Sequence, residues 1–214
     1  MVTYFTCTQE EWRKERDYTI GGSDAAAVVG LSPNMSNIDL WETKTGRKEQ
    51  ADISGLDFVQ YGVEAEKYLR ALFALDHPNY VVEYEEGNMW RNSDYPFAHA
   101  SLDGWLTDEN GRKGILEIKT TNILNPTQKL KWDKRIPDNY YVQILHYFMV
   151  TGFEFAALKA QIKYNYDDLF VLTKHYKIER SEVLNDIAYL AEKEKEFYKY
   201  IHSGKRPPLV LPPI

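Results

Sequence analysis

The stretch SLDGWLTDENGRKGILEIKT, residues 101–120, is where fold and chemistry meet in this sequence. Asn110-Gly111 is a turn signal between two runs of β type, so the stretch reads as a hairpin, with Asp103 ending or interrupting its first strand. Strand side chains alternate between faces, so Glu117 and Lys119 project together while Leu116 and Ile118 project the other way. Pairing of the two strands brings Asp103 alongside Glu117. Two carboxylates with an amine beside them form an oxygen-rich site for a hard divalent cation. Such a cation polarises a phosphate ester and activates water, while Lys119 steadies the nucleophile or the charged oxygens. Plainer readings exist: ILEIKT also suits a strand with one wet face, and Asp103-Gly104 an ordinary turn.

Upstream, TQEEWRKER (8–16) reads as a short helix with Thr8 as N-cap and Glu10 and Glu11 at the positive end of its dipole. IGGSDAAAVVGLSP (20–33) opens on a Gly-Gly turn, places Ser23 and Asp24 where a helix N-cap belongs, and closes at Gly30. NIDLWETKTG (37–46) is another short helix closed by Gly46, and GRKEQADISG (46–55) a polar surface loop. In DFVQYGVEAEKYLRALFAL (57–75) Phe58, Tyr61, Ala65, Tyr68, Leu69, Leu72 and Phe73 recur at helical spacing. YVVEYEE (80–86) and PFAHASLDGWLT (96–107) then change to β-type runs.

Downstream, residues 138–151 restore the helical period and end at Gly152. FEFAALKAQIKY (153–164) and DDLFVLTKHYKI (167–178) alternate as a hairpin does. A last amphipathic helix starts near Ser181 with Ile187, Leu190, Phe197 and Ile201 on one face, and prolines keep the tail SGKRPPLVLPPI extended. The order predicts an α/β (α+β) fold, one sheet flanked by helices, in a single domain over residues 1–214. An N-terminal helical segment (1–55) and a C-terminal helix and tail (180–214) are its elaborations.

Composition narrows the classes. The lone Cys7 excludes an intramolecular disulfide framework and any four-cysteine zinc or iron–sulfur site. The N-terminus has no apolar signal-peptide core and no stretch approaches the ~20 apolar residues of a membrane span, so the expectation is a soluble intracellular protein. His77, His99, His146, His175 and His202 lack zinc-type spacing and read as core or surface residues, although His99 and His146 lie near the hairpin in sequence. The net charge of −6, from 32 acidic and 26 basic residues, argues mildly against nucleic acid unless the basic residues gather in one groove.

The spacing D-(x)13-E-x-K, as Leu102-Asp103 to Glu117-Ile118-Lys119, resembles the PD-(D/E)XK nuclease motif, with Leu102 where Pro is usual. Gln143 and Tyr147 lie four apart on one helix face and resemble the Q-x-x-x-Y element of RecB-type nucleases; otherwise Tyr147 is core and Gln143 surface. QYGVEAEKYLRALF (60–73) resembles the G-x-x-x-E helix of these enzymes, placing Glu66 as an outer carboxylate. Glu64 competes with it, and at roughly 200° apart on a helix only one can face the site. RDYTIGGSDAAAVVGLSP followed by LWETKTG resembles the N-terminal signature of YqaJ-type phage recombination exonucleases, relatives of lambda exonuclease. There Arg16 and Ser23 match positions that engage the terminal 5′ phosphate or the strand near it; without that context Ser23 or Asp24 is a helix cap.

The resemblance spans about residues 16–165 and implies a restriction-endonuclease-like core with a central mixed sheet. It implies a 5′-to-3′ exonuclease that degrades one strand of linear double-stranded DNA and leaves a 3′ overhang for a single-strand annealing protein. Two Mg²⁺ ions are implied, with Mn²⁺ as substitute: Asp103, Glu117 and the Ile118 carbonyl on the inner ion, Glu66 and Asp103 on the outer. Lys119 then orients water, with Gln143 and Tyr147 supporting substrate placement. A ring-shaped homotrimer with a basic channel, encoded by a phage or prophage and working in the bacterial cytoplasm without membrane contact, is the corresponding expectation. The alternatives are an endonuclease of the same fold and a non-catalytic module binding DNA ends or a recombinase.

Overall fold

A computed structural model describes residues 1–164 and 170–211 of the chain. Its elements are β1 (Val2–Thr6), α1 (Gln9–Tyr18), α2 (Gly22–Val28), α3 (Asn37–Lys44), α4 (Asp57–Asp76), β2 (Val81–Glu83), β3 (Asn88–Asn92), β4 (His99–Ala100), β5 (Gly104–Thr107) and β6 (Lys113–Ile123). They continue with α5 (Pro126–Leu130), α6 (Asp138–Thr151), β7 (Phe155–Tyr164), β8 (Phe170–Glu179), a 3₁₀ turn (Arg180–Glu182) and α7 (Leu184–Ser203). The main sheet has the order β2-β5-β6-β7-β8. Among the described strands of this sheet only β6 and β7 run parallel, and the crossover that a parallel pair requires is supplied by α5 and α6. The sheet is therefore mixed, as the family resemblance implies.

β6 sits at its centre with Gly114 to Ile118 all buried, as a strand covered on both faces must be. Leu116 and Ile118 join Leu106, Phe155 and Ala157 under Ala65, Leu69 and Phe73 of α4. The opposite face packs into a larger core with apolar residues of α2, α6 and α7. Gly114 is required by this packing, since a Cβ there would lie 2.3 Å from the Phe155 ring. α6 stops at Gly152, whose φ of +69° is the left-handed C-cap that glycine adopts at least cost.

The structure corrects the sequence reading in four places. Residues 1–55 are not a purely helical segment: VTYFT forms β1, paired antiparallel with β3 in a second sheet of order β1-β3-β4. β3 itself, NMWRN, was not expected, because three polar residues in five give a short strand no apolar period. At α2 the N-cap is Gly21; Ser23 lies inside the helix, and Asp24 at its third position reaches back to the Gly21 N–H at 3.0 Å. On α4 only Ala65, Leu69 and Phe73 of the expected apolar residues are buried, whereas Phe58, Tyr68 and Leu72 are exposed. Residues 167–169 of the expected last strand and 212–214 of the tail lie outside the described residues. Among the described residues no helix is long and apolar enough to cross a membrane.

Buried polar groups tie the helices to the small sheet. The Lys44 ammonium pairs with Asp24 at 2.8 Å and also donates to the Thr19 and Arg16 carbonyls, tying α3 to the α1–α2 elbow. The Thr19 hydroxyl meets His99 Nδ1 at 2.7 Å. His146 Nε2 donates to the His99 carbonyl at 2.8 Å, and its Nδ1 pairs with Glu194 of α7. Burial would raise the Asp24 carboxyl, but Lys44 and the Gly21 N–H outweigh it and hold it below the usual range.

Lys44→Met leaves Asp24 buried without its cation and is expected to cost about 3–5 kcal/mol in urea denaturation. A second expectation concerns acid. Burial holds the His99 imidazole down at about 3, against an ordinary 6.5. The unfolded chain takes up this proton below about pH 6.5 and the folded chain resists until about pH 3, so His99 removes stability as pH falls between them. His99→Gln should flatten the fall of unfolding free energy over that window; an unchanged slope would refute this account of His99.

Candidate active site

β5 pairs with β6 only from Thr107 opposite Lys113 to Gly104 opposite Leu116. Beyond that point the edge of β6 is open, and Asp103 turns into the gap, its Oδ2 accepting from the Ile118 N–H at 2.8 Å. The N–H and C=O of one strand residue point to the same edge, so the Ile118 carbonyl faces this gap as well. Two residues that the sequence reading did not single out fix Asp103. Asn88 of β3 brackets the Leu102 backbone, accepting from its N–H at 2.8 Å and donating to its carbonyl at 2.9 Å. Arg70 of α4 donates to the Asp103 carbonyl and to Glu66, with its guanidinium 3.5 Å from the centre of the Tyr84 ring. The i,i+4 spacing of Glu66 and Arg70 was a signal for this pair; Asn88 offered none, because β3 was unseen. Glu66 therefore faces the site, while Glu64 is exposed and pairs with Lys67 at 3.2 Å.

Glu117 is fully buried, and neither of its carboxylate oxygens has a hydrogen bond of good geometry. Lys119, on the same face of β6, sets its ammonium against Oε1. Burial and then the charge of Asp103 push the Glu117 carboxyl up to about 8, against the pull of Lys119. Burial and Asp103 likewise push Glu66 up to about 7, against Arg70. Asp103 is also raised by burial, in spite of Lys119 and the Ile118 N–H. Burial alone would lower the Lys119 ammonium, but Glu117 and Asp103 outweigh it and drive it up. Three carboxylates thus share a site with too little positive charge to keep them ionised, which is the condition a divalent cation relieves. The donor set is all oxygen, as Mg²⁺ or Mn²⁺ prefers. Among the described residues no three His, Cys, Asp or Glu side chains stand as a group that could hold a metal ion.

Gln143 and Tyr147 of α6 share a face, as their spacing predicts, and both are buried; the Gln143 amide donates to the Tyr147 hydroxyl at 2.8 Å. The Tyr147 hydroxyl is driven well above 10 by burial and by Glu117 and Asp103, which places it within their field. Gly22 packs on this ring so closely that a Cβ would lie 2.4 Å from it. Arg16 and Ser23 stand together, Nη2 3.4 Å from the hydroxyl. Arg16 also lies 4.4 Å from the Trp12 ring, and the Trp12 indole donates to the Ser101 hydroxyl at 2.8 Å. Trp12 and Ser101 carried no signal beyond their nearness in sequence to Arg16 and Asp103. They line a cleft of about 760 Å³ together with Glu66, Tyr84, Glu86 and Asp103, and among the described residues no Lys or Arg lines it. His99 and His146, near in sequence, serve the buried scaffold.

The fold and chain are similar to known proteins. An alkaline exonuclease from Laribacter hongkongensis superposes with a TM-score of 0.64 over 92% of this chain and 97% of its own, at 18% identity. A phage related exonuclease from Haemophilus somnus 129PT gives 0.52 over 89% and 99%, at 14% identity. These likenesses show that the chain shares the fold of those structures. Protein YqaJ of Bacillus subtilis (strain 168) is 31% identical over 193 residues, covering 87% of this chain; the chain spans 55% of that relative's length. Residues 11–154 match the model of the YqaJ-like viral recombinase domain, and by that match across most of its length the chain belongs to the YqaJ-like viral recombinase domain family.

Proposed function

We propose that this chain is a metal-dependent exonuclease that removes nucleotides from the 5′ end of one strand of linear double-stranded DNA. The observation that carries the reading is the buried Glu117 carboxylate, short of hydrogen bonds, facing Lys119 and flanked by Asp103 and Glu66. A purely structural strand has no use for it, because an unsatisfied buried carboxylate costs several kcal/mol. The complex of the Laribacter exonuclease with dAMP supports a deoxynucleotide ligand for this fold.

Asp103, Glu117 and the Ile118 carbonyl would hold an inner Mg²⁺ or Mn²⁺, and Glu66 with Asp103 an outer one. When bound, the ions would supply Lewis-acid polarisation of the phosphate and neutralise the carboxylates. Lys119 holds the attacking water and balances charge building on the phosphate oxygens. Tyr147, oriented by Gln143, steadies the strand beside Glu117. Attack on phosphorus breaks the bond to the 3′ oxygen, releasing a 5′ mononucleotide and leaving a new 5′ phosphate on the shortened strand. Arg16 and the Ser23 hydroxyl face one another where that phosphate would be recognised. Action in phage-type recombination with a single-strand annealing protein, as a homotrimer in the bacterial cytoplasm, completes the proposal.

The test is Mg²⁺-dependent digestion of a linear duplex beside a closed circle. Mononucleotide release with the circle intact supports the exonuclease; nicking of the circle moves the reading to an endonuclease, and inertness with both ions moves it to a binding module. Lys119→Ala should abolish cutting while DNA affinity changes little; retained cutting would exclude its role. Ser23→Ala should slow digestion of 5′-phosphorylated ends more than 5′-hydroxyl ends, and equal losses would exclude phosphate recognition.

A further inference from the structure

Glu194 of α7 lies beyond residues 11–154, where the family match ends, and it is fully buried. Its Oε1 meets Nδ1 of His146 on α6 at 2.8 Å, and among the described residues its Oε2 has no hydrogen-bond partner. We infer that Glu194 is a positioning residue for the exonuclease reaction. Through His146 it clamps the His99 peptide, and that peptide sets the distance from the Arg16–Ser23 pair to Asp103. The inference rests on the nuclease reading and adds to it a residue that touches neither substrate nor metal.

The contacts converge on one peptide. The His99 N–H donates to the Ile20 carbonyl at 3.0 Å, and the Ile20 N–H donates to the Phe97 carbonyl at 2.9 Å. The Thr19 hydroxyl donates to the Glu15 carbonyl at 2.6 Å, so it accepts from His99 Nδ1. Gly21 lies against the same ring, where a Cβ would stand 2.8 Å from Nε2. From the other side the His99 carbonyl accepts from His146 Nε2. Asp103 follows His99 by four residues and Ser23 follows Ile20 by three, so the chain reaches at most about 14 and 11 Å beyond this clasp. Lys44 fixes the elbow to α3, whereas His99 fixes it to the strand that leads to Asp103. Asp103 has separate supports in Asn88 and Arg70, so slack in the clasp is felt mainly at Arg16 and Ser23.

The chemistry of the pair explains the hold. A carbonyl can only accept, so His146 Nε2 carries a proton, and Nδ1, facing a carboxylate, carries another. Burial would strip the second proton, but the charge and hydrogen bond of Glu194 outweigh it and raise the imidazole above its ordinary range. The bond to the His99 carbonyl is therefore charge-assisted, and stronger than one from a neutral ring. A buried ion pair gives little stability over apolar residues of the same volume, so stability alone does not account for Glu194. Without it, a neutral imidazole can carry its single proton on Nδ1 and release the His99 carbonyl. The same bond holds α6, which carries Gln143 and Tyr147, against that peptide.

The test is the ratio of single-turnover rates on 5′-phosphorylated and 5′-hydroxyl duplex ends, measured beside each protein's urea midpoint. Glu194→Leu should lower the rate on 5′-phosphorylated ends roughly tenfold, as a small misplacement does, and pull the ratio toward one. Glu194→Gln should recover most of the wild-type ratio, because its amide donates to Nδ1 while the Nε2 proton stays on the His99 carbonyl. A purely structural role would shift the urea midpoint and leave the ratio of the folded protein untouched. Should Glu194→Leu fail to fold, Thr19→Val decides, since it opens the far end of the clasp with Glu194 in place; it too should lower the ratio. A wild-type ratio in folded Glu194→Leu, or in Thr19→Val where the first does not fold, overturns the positioning role and leaves the nuclease reading standing. A wild type that prefers neither end overturns phosphate recognition by Arg16 and Ser23, and this inference with it. One that cuts neither end under Mg²⁺ or Mn²⁺ overturns the nuclease reading as well.

Discussion

Burial of the Glu117 carboxylate on the central strand is the constraint around which the rest of the molecule is arranged. β6 must be covered on both faces, and covering it removes Glu117 from water. The cost of that burial is met in part by Lys119, two residues along the same face, and in no part by a good hydrogen bond. Asp103 makes matters worse electrostatically, yet it is held there by the Ile118 N–H that the end of β5 leaves unpaired. The site is thus a stored electrostatic imbalance at the open edge of a strand, which oxygen-binding cations would relieve.

Such an imbalance persists only if its neighbours cannot relax, and the surrounding polar contacts explain why they do not. Asn88 grips both sides of the Leu102 peptide, Arg70 spans Glu66 and the Asp103 carbonyl, and Gly22 lies flush against Tyr147. Farther out, Lys44 uses its ammonium to lock the elbow that carries Arg16 and Ser23. His99, His146 and Glu194 then connect that elbow to α6 and α7. The last helix, although outside the recognisable motifs, contributes Ile187, Leu190 and Phe197 to the main core.

The division of charge also resolves a difficulty in the composition. A net charge of −6 is poor for gathering phosphates, but it is unevenly spread. Carboxylates collect at the cleft beside Glu66, while Lys129, Lys131, Lys134 and Arg135 stand close together in the chain between β6 and α6. Net charge describes the average surface, whereas a strand of DNA meets only one path across it.

The sequence by itself determined the α/β (α+β) class, nearly every helix, the central hairpin, and the shared face of Glu117 and Lys119. It could do so because strand alternation, helical period and glycine stops are local properties, written within ten or twenty residues. The convergence of Asp103 with Glu117 was legible for the same reason, since a hairpin joins neighbours in sequence. Only the tertiary structure decided that Glu66 and not Glu64 faces the site, because rotation of a helix about its axis is set by what it packs against. It alone revealed β1 and β3, whose pairing partners are distant in the chain, and with them Asn88. It alone showed which aromatic residues of α4 are core and which are left open, because burial depends on neighbours far away in sequence.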